Sequence, residues 1–217
     1  MHKQNYTHRV NIWPETLAFV GFTAACMSAY AENLPLTLAI TETISRDSNL
    51  YRVEPGQYAV ADTVSSTGLK VGLDKSYGRQ HYMASLGTAI NRYFDSKNLN
   101  NTSYDLNFNT ASEISDKGLI SIYGNATQNL ARFDVAGYNT VDTVKNTQKS
   151  SSTGGQLSYG GNGALNPYIS INHFQQGFTS TNSNYQSSNQ NTYGLGAYYS
   201  VVPQLSIGLG ARLTRGD

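Results

Sequence analysis

The chain has 217 residues, 39% hydrophobic, 11% aromatic and only 13% charged, with 15 basic against 14 acidic side chains and a net charge of +1. That length suits one domain or one large barrel. The charge balance leaves no electrostatic footprint for nucleic acid, and a mean hydropathy of −0.41 is too polar for a bundle of membrane helices. Ser, Thr and Asn fill the chain instead, at 23, 20 and 21 residues. Such a composition means either disorder or strands that keep one face polar. The 16 Tyr argue for strands, because disordered segments are poor in aromatics.

Residues 1–31 read as a secretory signal peptide. Lys3 and Arg9 supply a basic start, an apolar stretch runs from Leu17 to Ala25, and Ala29-Tyr30-Ala31 gives small residues flanking a cleavage point before Glu32. About 11 apolar residues are too few to cross a bilayer, and Thr23-Ala24-Ala25 is a poor lipidation signal ahead of Cys26. Cleavage after Ala31 removes the only Cys and the only Trp. The mature chain then has no disulfide, no thiol nucleophile and no Cys/His zinc set.

Beyond that point the pattern is apolar alternation with a period of two, the signature of strands. Leu34, Leu36, Leu38 and Ile40 form the first row, followed by Leu69, Val71 and Leu73, then by Tyr82, Ala84, Leu86, Thr88 and Ile90. Tyr104, Leu106 and Phe108 oppose Asp105, Asn107 and Asn109. Shorter rows stand at Ile120 and Ile122, and at Leu157 and Tyr159. Around Tyr168 to Phe174 either face could be the apolar one. The last rows are Tyr193 to Val201 and Leu205 to Leu213, the latter against Ser206, Gly208, Gly210 and Arg212. The rows predict about nine strands of roughly 9–12 residues, the length that spans a bilayer when tilted.

The connections sort by length. Short turns are expected at Asp74–Arg79, Ser115–Gly118, Gly160–Asn166 and Val202–Gln204, rich in Gly, Asp, Asn or Pro. Longer polar loops are expected at Arg46–Asp62, Phe94–Asn101, Phe133–Asn146 and Gln175–Asn191. Strict alternation of long and short connections is the pattern of an antiparallel up-and-down transmembrane β-barrel. A soluble β-sandwich also alternates, but it does not need loops sorted by length. In a barrel the apolar rows face lipid. Tyr77, Tyr82, Tyr93, Tyr104, Tyr168, Tyr193 and Tyr199 are then candidates for the interfacial girdles. The polar rows would line the lumen, with Asn91, Asp105, Asn107, Asn109 and Arg212 as the candidate lumen-facing residues. Nine strands break the even count of single-chain bacterial barrels, and Arg215-Gly216-Asp217 is not an aromatic closing strand. The expectation is therefore the N-terminal portion, residues 32–217, of a longer barrel.

Three stretches carry a family resemblance. They are Arg46-Asp47-Ser48-Asn49-Leu50-Tyr51-Arg52; Asp62-Thr63 together with Leu73-Asp74-Lys75-Ser76-Tyr77-Gly78-Arg79-Gln80; and Gly208-Leu209-Gly210-Ala211-Arg212-Leu213-Thr214-Arg215-Gly216-Asp217. Their order resembles the EpsL-type outer-membrane barrels associated with exopolysaccharide biosynthesis, within the broader β-barrel porin group. The resemblance implies a non-enzymatic component of a polysaccharide export system in the Gram-negative outer membrane. Its implied partners are outer-membrane lipid, polysaccharide and the export machinery. A general diffusion porin for small solutes is the alternative.

No catalytic residues come with the resemblance, and the sequence supplies few. Only His81 and His173 survive cleavage. Ser85 shares the row of His81, but four residues along a strand is about 13 Å, beyond hydrogen-bond reach. Both histidines are expected at the lumen or rim. The glycines at 154–155 and 160–163 precede no predicted helix and make no phosphate loop. Neither a cofactor nor a metal is implied.

Overall fold

The computed structural model describes residues 20–22, 35–133, 143–161, 163–180, 186–202 and 204–216. A three-residue strand β1 (Val20–Phe22) precedes nine long ones: β2 (Leu36–Asp47), β3 (Asp62–Tyr77), β4 (Gln80–Tyr93), β5 (Asn101–Glu113), β6 (Gly118–Leu130), β7 (Thr147–Tyr159), β8 (Leu165–Phe178), β9 (Ser188–Val202) and β10 (Leu205–Gly216). Each pairs antiparallel with the next, so all lie in one sheet in chain order. The up-and-down order expected from the sequence is observed. The sheet is open, with no ladder between β2 and β10. Apart from β1, which pairs with β2 through Val20 opposite Ile44, the expected signal peptide lies outside the described residues.

The strands run 12 to 16 residues, longer than the apolar rows alone predict. The excess lies at the long-loop end, where β3 begins at Asp62 and β7 at Thr147. Neither face keeps an apolar row there, so hydrophobic periodicity fades. The ladder nevertheless continues, through pairs such as Val64 with Tyr93 and Gln148 with Phe178, because it needs only backbone donors and acceptors.

Register sorts the two faces. Leu38, Val71, Leu86, Leu106 and Ala126 stand opposite one another from β2 to β6. Ile120, Leu157, Ile169, Leu195 and Ala211 do the same from β6 to β10. On the other face Gly72, Ser85, Asn107, Asn125 and Ser152 form a row. The ambiguous stretch resolves with Ile169 and Ile171 on the apolar face and Tyr168 and Phe174 on the polar one. Tyr93 and Tyr168, expected in the apolar face's girdles, stand on the polar face, since each is an odd number of residues from the apolar row of its own strand. The other five tyrosines keep the apolar face.

The apolar belt is slanted relative to the register. Tyr82, at its short-turn edge on β4, is in register with Gly155 on β7 and Tyr193 on β9. On those strands the short-turn edge lies at Tyr159 and Tyr199, four and six residues further toward the turns. Belt residues are open to their surroundings; Leu209 is 85% exposed.

The buried apolar side chains of the described residues, Leu50, Leu99 and Ala131, lie in or beside the long loops. Leu99 is fully buried in a 3-10 turn, Lys97–Leu99. The Tyr51 and Phe133 rings, from the segments after β2 and after β6, pack edge-to-face at 4.9 Å. Arg52, at φ +55°, reaches back to Asp47 at 2.7 Å, and the Asp47 carboxylate accepts the Asn49 N–H at 3.0 Å. The 46–52 motif is therefore a self-bonded loop. Asp62, 2% exposed and beyond the apolar belt, accepts N–H bonds from Thr63 at 2.6 Å, Asp95 at 3.2 Å and Ser96 at 2.7 Å. Burial pushes its carboxyl up, and the donors at Ser96, Asp95 and Thr63 outweigh that and hold it below the usual carboxylate range.

Candidate functional site

The polar face gathers the chain's free hydrogen-bonding groups. Asn91, Asp105, Asn107, Asn109 and Arg212 all lie on it by register. They are not one cluster. Arg212 stands opposite Gly194 on β10, five strands from Asp105. Asn91 is used up internally, taking the Ser66 hydroxyl at 2.8 Å and donating to Asn101 at 2.9 Å and Ser103 at 3.2 Å. Asp105 lies against Gly87, where any Cβ would collide with its carboxylate. Lys70 stands on the far side of Gly87 in the same row.

Asn107 and Asn109 are the pair that structure brings into one place. With Ser85, Met83, Tyr123 and Asn125 they line a hollow of about 410 Å³. All three asparagines are exposed, and their carboxamides make no intramolecular hydrogen bond among the described residues. Their neighbours behave otherwise. Ser152 and Asn172 bond each other at 2.7 Å, Thr127 and Ser150 at 2.9 Å, and Gln148 and Gln176 at 3.0 Å. Asn125 was not among the sequence candidates. It follows Gly124 on a strand whose apolar row is interrupted, and only the register with Asn107 places it.

Charge divides this face. The polar side of β2 to β5 carries Asp47, Asp62, Lys70, Asp74, His81, Asp105 and Glu113, and β10 adds Arg212. From β6 to β9 that side holds no Asp, Glu, Lys, Arg or His. Lys149 and His173 belong to those strands but stand on the other face. The uncharged sector carries three tyrosines lying on glycines. A Cβ on Gly154 would meet the Tyr123 hydroxyl at 2.6 Å, one on Gly196 the Tyr168 ring at 2.8 Å, and one on Gly208 the Tyr198 ring at 2.8 Å. Tyr168 and Tyr198 are nearly parallel, 21° apart with centroids at 5.3 Å.

His81 pairs with Asp74 at 2.7 Å across the first hairpin, a contact the sequence reading missed because it looked along one strand. Ser76, its cross-strand neighbour, makes no hydrogen bond to it. His173 contacts Asn191 at 3.0 Å on the apolar side, just beyond the belt, so of the expected lumen or rim positions the polar face is excluded. Among the described residues no group of three or more His, Cys, Asp or Glu side chains is placed to hold a metal ion. The chain matches no protein-family model, no curated protein and no solved structure.

Proposed function

We propose that this sheet is the wall of an outer-membrane β-barrel, with the slanted apolar belt toward lipid and the polar face toward a wet lumen. The slant carries the reading. Six residues of offset at about 3.4 Å each is about 20 Å along the strands, against about 24 Å across five inter-strand steps. Strands crossing a level belt with that offset are tilted by about 40°, within the range of membrane barrels. From Tyr82 to Ile90 the belt is about 27 Å long on β4, or about 21 Å tall at that tilt, close to the apolar height of such barrels. A large exposed apolar surface is a liability in water and a requirement in lipid. The tyrosines at both belt edges, Tyr82, Tyr159 and Tyr199 below and Tyr104 and Tyr193 above, suit the two interfaces.

The role is non-enzymatic, at the Gram-negative outer membrane after signal-peptide cleavage near Ala31, in the biosynthesis or export of an exopolysaccharide. The sequence resemblance and the amide-rich polar face support it. Lys70, Asp105 and Arg212 on the same face favour the second reading, a porin for small solutes. Gel mobility of the native protein from an outer-membrane fraction tests the barrel: faster migration unheated than boiled is expected, and a soluble periplasmic protein with no shift would refute it. Deletion separates the two roles. Loss of secreted polysaccharide supports export; intact polysaccharide with slowed uptake of small solutes supports the porin.

A further inference from the structure

The division of charge on the polar face is the observation that goes furthest. A wall selecting ions would be expected to carry fixed charge. Four adjacent strands, β6 to β9, present only hydroxyls, carboxamides, glycine and aromatic or aliphatic side chains to that side. A sugar acid or phosphate meets no cation there, and an organic cation meets no carboxylate. An apolar solute would strip water from the free carboxamides of Asn107, Asn109 and Asn125 without returning a hydrogen bond. A neutral polyol ring satisfies both requirements: its hydroxyls exchange bonds with carboxamides, which donate and accept, and its C–H face packs on a tyrosine ring.

The tyrosines add direction. Tyr123 is in register with Gly154 and Asn172, and Tyr168 lies four residues nearer the short turns than Asn172. That displaces it by about 13 Å along and about 10 Å across the sheet. Tyr198, stacked on Tyr168, extends the platform toward the β9–β10 turn. Each side chain reaches to where the Cβ of a neighbouring glycine would stand, which holds the three tyrosines close against the sheet along the descent from the hollow.

We propose that the polar side of β6–β9 is a binding track for an uncharged glycan chain, laid across Tyr123, Tyr168 and Tyr198. In the hollow at its head, Asn107, Asn109 and Asn125 hold the hydroxyls of one ring. The proposal rests on the barrel reading above, in which this face lines the lumen and a polysaccharide is the cargo.

Calorimetric titration of the full mature chain in detergent micelles tests it, using neutral hexasaccharides of α-1,4-glucan, β-1,4-glucan and β-1,4-mannan, with hexagalacturonate as the charged counterpart. At least one neutral chain binds, and hexagalacturonate binds at least tenfold more weakly. Tyr168→Ala and Tyr198→Ala each weaken the neutral chain by about three- to tenfold, Tyr168→Phe does not, and Lys70→Ala leaves binding unchanged. Each variant is compared only if it keeps the unheated gel shift. Equal or tighter binding of hexagalacturonate overturns the uncharged track, as does failure of all three neutral chains to bind protein that keeps its shift; the barrel reading survives both. Absence of the shift in the unmodified protein overturns the barrel reading and the track with it.

Discussion

Replacing Asp62 by Ala removes the acceptor that ties the 94–100 loop to the start of β3. Asp95 and Ser96 donate to that one carboxylate, at 3.2 and 2.7 Å, and the side chain is 2% exposed. A hydrogen bond to a charged group contributes about 1.5–3 kcal/mol, and two sharing one carboxylate do not add fully, so local opening of the loop should become easier by about 2–3 kcal/mol. The assay is hydrogen exchange at the Asp95 and Ser96 amides in micelles, which should accelerate about 30- to 140-fold. The Gly78–Arg79 turn, at the opposite end, should not change. Asp62→Asn keeps one acceptor oxygen and should fall between. Acid gives the same result by another route. The folded carboxyl is held below its ordinary value, so its contribution is complete above the unfolded pKa, near 4. It is then lost as pH falls through the lower folded value. Acceleration under threefold in Asp62→Ala would refute the claim that this carboxylate holds the loop.

Adjacent residues on β5 should respond oppositely to the same change: Leu106→Lys places a charge on the belt and should cost about 2–4 kcal/mol in lipid, whereas Asn107→Lys on the other face should cost under about 1 kcal/mol, both read by urea unfolding from vesicles. Leu99→Ala should destabilise the packed loops by about 2–5 kcal/mol, as for other fully buried leucines, and expose the 94–100 segment to protease while the unheated gel shift persists. Asp105→Ala combined with Arg212→Ala should alter ion selectivity in planar bilayers without preventing insertion; unchanged conductance and selectivity would remove both from the conducting wall.

Strand order was legible in the sequence because each strand keeps an apolar row and each turn is marked by Gly, Asp, Asn or Pro. Strand length was not, since from Asp62 to Ser66 and from Thr147 to Ser152 neither face is apolar and nothing in composition separates ladder from loop. The five candidate residues were readable as one face by counting alternate positions. Which of them meet was unreadable. That Asn91 is consumed by Ser66, Asn101 and Ser103 while Asn107 stays free depends on register between strands, which the apolar rows of two strands and the turn joining them set together and which one strand read alone does not give. The uncharged sector was hidden for the same reason: Lys149 and His173 sit in the midst of it in sequence and behind it in space.

An antiparallel sheet reverses direction at every step, so β2 and β10, eight steps apart, run the same way. If β1 were removed with the signal peptide, leaving β2 at the margin, and β2 met β10, their seam would be the one parallel ladder in an otherwise antiparallel wall, with slanted rather than perpendicular hydrogen bonds and slightly weaker pairing per residue. A wholly antiparallel ring would need an odd number of strands set between them. Either way, the backbone groups along the outer margin of β10 need partners wherever hydrocarbon surrounds them. The direction of whatever chain supplies those partners would distinguish the two kinds of closure.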